Sequence, residues 1–167
     1  NQFAGNENER AADLQKMLDR QDIKAIFCVR GGYGTVKIID SVDFNFFLKY
    51  PKWIVGYSDI TVLHNHINNL GIATLHATMP INFFSNTKKS LDATRRCLFE
   101  VKNKVVASSN LLNRFGQVEG EIVGGNLSVI YSLLGSDSDL IVEDKILFIE
   151  DLDEYLYHVD RMTVNLL

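Results

Sequence analysis

A serine stands where an apolar run gives way to a helix-like stretch, and this corner is the part of the chain best suited to chemistry. Ser58 lies in the segment 56–60, between the apolar run Trp53–Val55 and the stretch 62–67. A strand, a tight turn and a helix in that order expose the serine hydroxyl beside the first N–H groups of the helix, which favour a developing negative charge. Ser58 is therefore a candidate nucleophile. Ile60 stands where the G-x-S-x-G pattern has glycine, and a serine before a helix commonly serves only as an N-cap.

A second cluster of candidate residues follows an earlier apolar run. Arg30, Gly31, Gly32, Tyr33 and Gly34 come directly after the run 25–29. Glycines after a strand let the backbone approach a ligand and present N–H groups to it, as an oxyanion hole or a carboxylate site requires. The spacing matches neither a dinucleotide-binding loop nor a Walker loop. A turn that needs glycine only for its backbone angles explains the same residues.

A carboxylate ends the third apolar run. Glu150 follows residues 145–149 and begins the acidic cluster 150–154. At the end of a buried strand a carboxylate can hold and orient an imidazole, as the third member of a serine triad does. Acidic runs are more often solvated surface, and the sequence leaves both interpretations open.

The four histidines do not complete a recognisable site. His64 and His66 lie two residues apart on one predicted helix and should point to different faces, with His64 in a capping or surface role. His76 ends a predicted strand, where it enters the same crevice or is structural. Neither these three nor His158 has metal-ligand spacing, so we expect no metal and no cofactor.

The elements that must position these residues form an α/β pattern. Apolar strands that alternate with helices indicate a parallel sheet covered on both faces, whose ligands bind beyond the carboxyl ends of the strands. We therefore expect the glycine-rich turn and the serine corner to face one crevice. The predicted helices cover 6–20, 36–39, 45–49, 62–67, 90–100, 127–134 and the residues from about 157, and the predicted strands cover 23–29, 53–55, 73–76 and 145–149.

Changes in composition along the chain predict two partial domains. We expect an N-terminal nucleophile domain over 1–84, a polar connection over 85–118 and the start of a second domain over 119–167. The chain has 167 residues, 46% of them hydrophobic, and a net charge of −4 with dispersed basic residues. This balance favours a small-molecule or peptide ligand over nucleic acid or an anionic membrane. Cys28 and Cys97 should be separate buried thiols, which suits the cytoplasm, and no membrane span or signal peptide is visible.

Taken in order, these motifs resemble the LD-carboxypeptidase family of serine peptidases, which includes the microcin C self-immunity peptidases. The resemblance implies a flavodoxin-like or Rossmann-like N-terminal domain that bears the nucleophile elbow. It implies that Ser58 is the nucleophile and that Glu150 orients the base. The backbone N–H groups of Asp59 and of Gly31 or Gly32 would form the oxyanion hole. The segments that carry the resemblance are 30–34, 51–61, 124–127 and 148–151, with Tyr157, Asp160 and Arg161, and the implied substrate-binding residues are Arg30, Tyr33, Gly125 and Asn126.

The resemblance is incomplete at both ends of the chain. The catalytic histidine of the family lies near the carboxyl terminus, in a stretch that this chain does not contain, and the first strand of the family is also missing. The resemblance therefore implies a truncated chain, and it implies a homodimer. Because a serine without a base attacks amides poorly, we expect the 167-residue chain to be catalytically weak.

The resemblance also implies a substrate. The family activity is cleavage of an L,D-peptide bond, which releases the terminal D-alanine from murein tetrapeptide during cell-wall recycling. Within the same chemistry, the alternative is hydrolysis of an acyl-sulfamoyl or aminoacyl-nucleotide toxin. Outside it, the alternatives are a non-catalytic binding module, in which the corner holds a carboxylate or phosphate, and a structural remnant with exposed apolar surface.

Overall fold

Two small parallel sheets form the framework of the computed structural model, which describes residues 4–100 and 104–166. The first sheet has the order β1-β2-β3 and the second pairs β4 with β5, and every pairing is parallel. The predicted α/β class with parallel sheets is confirmed. The strands are β1 (Ala25–Phe27), β2 (Trp53–Gly56), β3 (Leu75–His76), β4 (Ile122–Asn126) and β5 (Ile146–Glu150).

Helices connect the strands of both sheets. The predicted helix over 36–39 is instead a pair of short 3₁₀ turns, and a strand that the sequence did not indicate, β4, precedes α5. Strand β4 contains Gly124 and Gly125, and glycine is depleted in strands, which explains why it was missed. Within the described residues the helices are α1 (Glu7–Leu18), α2 (Asn45–Lys49), α3 (Thr61–Asn69), α4 (Lys88–Phe99), α5 (Leu127–Ser132) and α6 (Leu156–Leu166), and the 3₁₀ turns are Thr35–Lys37, Ile39–Ser41, Ser58–Ile60 and Pro80–Asn82.

The main core surrounds β2. Ile54 and Val55 are successive strand residues and both are 0% exposed, so the sheet is covered on its two faces. Leu18 from α1, Phe47 from α2 and Ile67 from α3 are also fully buried in this core. Burial of side chains of this size contributes about 1.5–3 kcal/mol each. None of the helices in the described parts of the chain has both the length and the apolar content that a bilayer span requires.

Helix α3 joins the two sheets. Its first residue, Thr61, is fully buried and its Oγ1 accepts a hydrogen bond from the Asn126 N–H at 3.0 Å. Gly125, at φ +149°, lies so close that a Cβ on it would be 2.6 Å from Thr61 Oγ1. At the other end of the helix, Asn69 Nδ2 donates to the carbonyl of Asp139 at 2.8 Å. The second sheet is therefore held directly against the helix that follows the serine corner.

The predicted surface or capping role of His64 is wrong. His64 is 5% exposed, and its Nε2 donates to the Gly56 carbonyl at 3.0 Å. Burial is the main cause that lowers the pKa of His64 to about 4, and the nearby His76 lowers it further against the raising effect of the Gly56 bond. Helix α3 places His64 against the end of β2, where its side chain contacts the strand next to the Ser58 corner and does not reach solvent.

A methyl group at Gly125 should separate the two sheets. We expect Gly125→Ala to lower the free energy of unfolding by about 3 kcal/mol, because it combines backbone strain at positive φ with a clash against Thr61. Gly135→Ala is the matched control: Gly135 has φ +77° but nothing within 4 Å of its Cβ position, so we expect a loss of only about 1–2 kcal/mol. Urea denaturation measures both, and equal losses would contradict the close approach.

Burial of neutral His64 should make the fold acid-sensitive. The folded pKa of about 4 lies below the ordinary 6.5, so the unfolded chain binds the extra proton between these pH values. The free energy of unfolding is then unaffected by His64 above pH 6.5, and it falls by about 3 kcal/mol as the pH drops towards 4. His64→Gln keeps an N–H donor for Gly56 but cannot titrate, so its unfolding free energy should fall less over this range. Parallel curves for the two proteins would contradict the assignment.

Candidate active site

Ser58 occupies a strained backbone position at the end of β2. Its φ of +63° lies in the left-handed region, and the other non-glycine residues with positive φ in the described ranges are Asp144 and Asp153. Such a conformation costs on the order of 1–3 kcal/mol and persists only where neighbouring contacts impose it. The 3₁₀ turn that starts at Ser58 runs directly into α3, so its first N–H groups have no partners within the helix.

Ile60 replaces the second glycine of the usual elbow pattern, and the packing explains how this is tolerated. A Cβ on Gly56 would lie 2.8 Å from Ile60 Cγ1. The isoleucine side chain therefore fills the space that Gly56 leaves open, and it is 5% exposed there. One glycine before the serine is sufficient for the tight turn, because the residue after it packs back across that glycine.

The glycine-rich turn reaches the serine, as the sequence predicted. A Cβ on Gly31 would be 3.2 Å from Ser58 Oγ and 3.0 Å from Ser58 Cβ. Gly32, at φ +136°, continues the turn. The two motifs face one crevice at the carboxyl ends of β1 and β2, and the Gly31 backbone lies against the hydroxyl where a side chain would obstruct it.

Asp59 ties the serine corner to this turn. Its buried carboxylate accepts hydrogen bonds from the Thr35 N–H at 3.0 Å and from Thr35 Oγ1 at 2.7 Å. Sequence reasoning missed Thr35, because no local pattern indicates its contact with Asp59, which lies 24 positions further along the chain. Burial, reinforced by the Asp59 charge, raises the pKa of the half-buried Cys28 thiol to about 11, which leaves it a poor nucleophile.

Arg30 and Tyr33 lie exposed on the same turn. Arg30 Nε donates to the Gly31 carbonyl at 3.2 Å, and Tyr33 is 61% exposed. The Lys37 ammonium stands 5.6 Å from the centre of the Tyr33 ring. Both side chains are available to a ligand at this end of the sheet, and their substrate-binding role stays a prediction.

Asn126 and Glu150 are side by side because the register of β4 and β5 pairs them. The Asn126 Oδ1 caps α5 by accepting from the Val129 N–H at 3.1 Å, and its Nδ2 donates to Asp151 Oδ1 at 3.2 Å. Asp151 Oδ2 in turn accepts from the Ser128 N–H at 2.9 Å. Asp151 therefore holds the Asn126 side-chain amide beside Glu150. The sequence did not indicate this role, because Asp151 stands within an acidic run.

Glu150 faces the first sheet. Its Oε1 lies 3.8 Å from His76 Nε2 and accepts no hydrogen bond from the described residues, although the atom is buried. Burial raises the pKa of Glu150; the Asn126 amide lowers it, and the charge of Asp151 raises it further. The Tyr57 ring, next to Ser58 in sequence, lies 6.2 Å from the His76 ring. His76 thus lies between the carboxylate of Glu150 and the ring that precedes Ser58.

The four histidines all contact groups other than Ser58. His64 bonds the Gly56 carbonyl, His66 Nδ1 is hydrogen-bonded to Ser138 Oγ at 3.0 Å, and His76 faces Glu150. His158 Nδ1 donates to Glu154 at 2.8 Å. Over residues 4–100 and 104–166, no group of three His, Cys, Asp or Glu side chains is arranged to hold a metal ion. The site offers a hydroxyl, backbone donors and a carboxylate, which are parts of acyl-transfer chemistry.

Comparison with known proteins gives consistent matches over both sheets. The chain is 40% identical over 171 residues to the probable murein peptide carboxypeptidase of Bacillus subtilis strain 168, covering 96% of this chain and 52% of that protein. It is 28% identical over 177 residues to the murein tetrapeptide carboxypeptidase of Pseudomonas aeruginosa, covering 99% of this chain and 57% of that protein. The crystal structure of muramoyltetrapeptide carboxypeptidase from Oxalobacter formigenes superposes with a TM-score of 0.88 at 28% identity, covering 98% and 57% of the two chains.

The chain therefore spans about half the length of these relatives. A family model for the LD-carboxypeptidase N-terminal domain matches residues 1–77, which contain Gly31 and Ser58. A second model, for the LD-carboxypeptidase C-terminal domain, matches residues 119–167, which contain Asn126 and Glu150. Both domain models match in order, and the Bacillus subtilis relative is 40% identical over 96% of this chain. The chain therefore belongs to the LD-carboxypeptidase family.

Proposed function

We propose that the protein is a serine carboxypeptidase that hydrolyses an L,D-peptide bond and releases the terminal D-alanine of murein tetrapeptide. The observation that carries the proposal is the strained Ser58 corner, with the Gly31 backbone packed against its hydroxyl. The relatives named as murein peptide and murein tetrapeptide carboxypeptidases support the substrate class. Cell-wall recycling is the process in which such a substrate arises.

The proposed reaction passes through an acyl-enzyme. Ser58 Oγ attacks the carbonyl carbon of the scissile bond while its proton moves to a general base. The tetrahedral oxyanion is stabilised by the backbone N–H groups of Asp59 and of Gly31 or Gly32. Collapse breaks the C–N bond, and the amine of D-alanine leaves with the proton from the base. Water, deprotonated by the same base, then hydrolyses the ester and regenerates the serine.

The proposal assigns the general base to a histidine outside these 167 residues. The four histidines of the chain are engaged with Gly56, Ser138, Glu150 and Glu154, so none is a natural partner for Ser58. Glu150 is proposed to orient that base through its carboxylate, whose two oxygens together offer about four acceptor sites. A carboxylate in this role stabilises the imidazolium that forms during attack.

Arg30, Tyr33, Gly125 and Asn126 are proposed to border the substrate. The exposed Arg30 guanidinium suits the terminal carboxylate that a carboxypeptidase must recognise. Gly125 and Asn126 would contribute from the second sheet through their backbone, because Gly125 packs against Thr61 and the Asn126 side chain is bonded to α5 and Asp151.

A cytoplasmic homodimer is proposed for the natural protein. The thiols of Cys28 and Cys97 suit a reducing compartment, and the dimer follows from the family resemblance alone. Cell fractionation and mass photometry of the natural protein check the two statements.

Ser58→Ala should abolish release of D-alanine. The assay uses L-Ala-γ-D-Glu-meso-diaminopimelate-D-Ala with this chain and with the longer natural protein that contains it. We expect turnover by the longer protein, little by the 167-residue chain, and a loss on the order of 10³-fold or more in the variant, because the acyl-enzyme cannot form. Ser108→Ala, at an exposed position, is the matched control and should retain full activity.

The outcomes of this assay separate the alternatives. Release that survives Ser58→Ala would contradict the nucleophile assignment. Inactivity of the longer protein on murein tetrapeptide, with Ser58-dependent cleavage of an aminoacyl-sulfamoyl nucleotide, would favour the toxin-hydrolase alternative. Tight peptide binding without turnover, unaffected by Ser58→Ala, would favour a binding module.

Gly31→Ala tests the proposed oxyanion hole in the longer protein. The added methyl would stand 3.0 Å from Ser58 Cβ and 3.2 Å from Oγ, so either the serine or the turn must move. We expect kcat to fall on the order of 10²-fold, since small displacements of reacting groups have effects of this size. Gly116→Ala, with nothing within 4 Å of its Cβ position, should leave kcat unchanged. Steady-state kinetics measure both, and unchanged kcat in Gly31→Ala would overturn the assignment.

A further inference from the structure

His76 brings an imidazole from the first sheet to the carboxylate of the second. It is the last residue of β3, where the register pairs it with Gly56 at the end of β2. Its Nε2 lies 3.8 Å from Glu150 Oε1. Glu150 is in turn the last residue of β5. Two parallel sheets thus place these side chains opposite each other at their carboxyl ends.

The His76 ring is held in one orientation by packing on several sides. The Phe148 ring meets it in an edge arrangement at 5.1 Å, the His64 ring lies at 5.8 Å and the Tyr57 ring at 6.2 Å. The side chain is only 26% exposed. Because the ring is already confined, directing Nε2 at the carboxylate costs little further side-chain entropy. An exposed histidine would lose rotamer freedom on forming the same contact.

Both side chains contain a buried polar atom with unused hydrogen-bonding capacity. Glu150 Oε1 and His76 Nδ1 accept or donate no hydrogen bond among the described residues. The 3.8 Å separation of Nε2 and Oε1 is about 0.6 Å longer than the upper limit of an N–H···O hydrogen bond, about 3.2 Å. Because a buried carboxylate oxygen without a donor is unfavourable, a rotation that closes this gap would stabilise the ionised form of Glu150.

We propose that His76 is a positioning residue for Glu150, whose Nε2–H holds the carboxylate in the orientation needed to align the general base. The inference rests on the proposed function in one respect, which is that Glu150 acts on that base. His76 touches neither the serine nor the scissile bond, and its effect passes through the carboxylate. The titratable or charged groups that face the pair are Tyr57, His64 and Asp151.

An NMR titration of this chain tests the contact between His76 and Glu150 without an activity assay. It follows the ring signals of the four histidines as a function of pH. Burial lowers the pKa of the His76 imidazole, and a carboxylate beside the ring opposes this effect, so Glu150→Gln should lower that pKa further. The ring signals of His158, which is hydrogen-bonded to Glu154, should be the same in both proteins and serve as the internal control. An unchanged pKa of His76 in Glu150→Gln would overturn the proposal.

Paired variants of the longer natural protein test the positioning role. His76→Phe keeps an aromatic ring but has no N–H, and we expect kcat for D-alanine release to fall about tenfold or more with KM unchanged. His76→Gln places an amide N–H near the position of Nε2 and should recover most of kcat. Equal losses in the two variants, or a rise in KM alone, would overturn the proposal, because a purely structural role does not distinguish a donor from a ring.

The two experiments keep this inference separate from the proposed function. Coupling of His76 to Glu150 in the NMR titration, together with no Ser58-dependent release by the longer protein, would overturn the carboxypeptidase proposal and with it the positioning role. Ser58-dependent release with no coupling would overturn the role of His76 alone. Coupling, release and rescue by His76→Gln together are the expected result.

Discussion

The close approach of Gly125 to Thr61 is the constraint on which the arrangement of the site depends. It brings the second sheet against the first residue of α3, three positions after Ser58, and the Asn126 N–H bond to Thr61 Oγ1 fixes the approach. A side chain at position 125 would require the sheets to separate. Because β4 and β5 are in parallel register, this one contact also determines where Glu150 stands relative to the crevice.

The serine corner also has supporting contacts within the N-terminal part of the chain. The positive φ of Ser58 is unfavourable, and three neighbouring contacts impose it: Ile60 packs across Gly56, His64 bonds the Gly56 carbonyl, and Asp59 bonds Thr35. The neutral state of buried His64 is part of this support, since a charged ring could not be accommodated there without cost. Backbone strain at Ser58 is therefore offset by contacts of residues one and two positions away, Asp59, Gly56 and Ile60.

Sequence reasoning succeeded where the signal was local and failed where partners are distant in sequence. The strand–serine–helix corner and its glycine-rich neighbour follow from short patterns, and their shared crevice follows from the rule for parallel sheets. The pairing of Glu150 with His76 could not be predicted, because the two residues are 74 positions apart in sequence and belong to different sheets. His64 was misjudged because helical periodicity says which face a residue occupies but not which neighbour covers that face.

The site is thus assembled from two halves, one on each sheet. The serine half needs only β1, β2 and the start of α3, whereas the carboxylate half needs β4, β5 and the capping of α5 by Asn126 and Asp151. They meet at two places near the crevice, Thr61 with Gly125 and His76 with Glu150. The first is a contact between the Gly125 backbone and the buried Thr61 side chain, which sets the separation of the halves. The second joins the ionisable side chains of His76 and Glu150, whose nearest atoms are 3.8 Å apart and can move closer. The orientation of the carboxylate can therefore change at this contact.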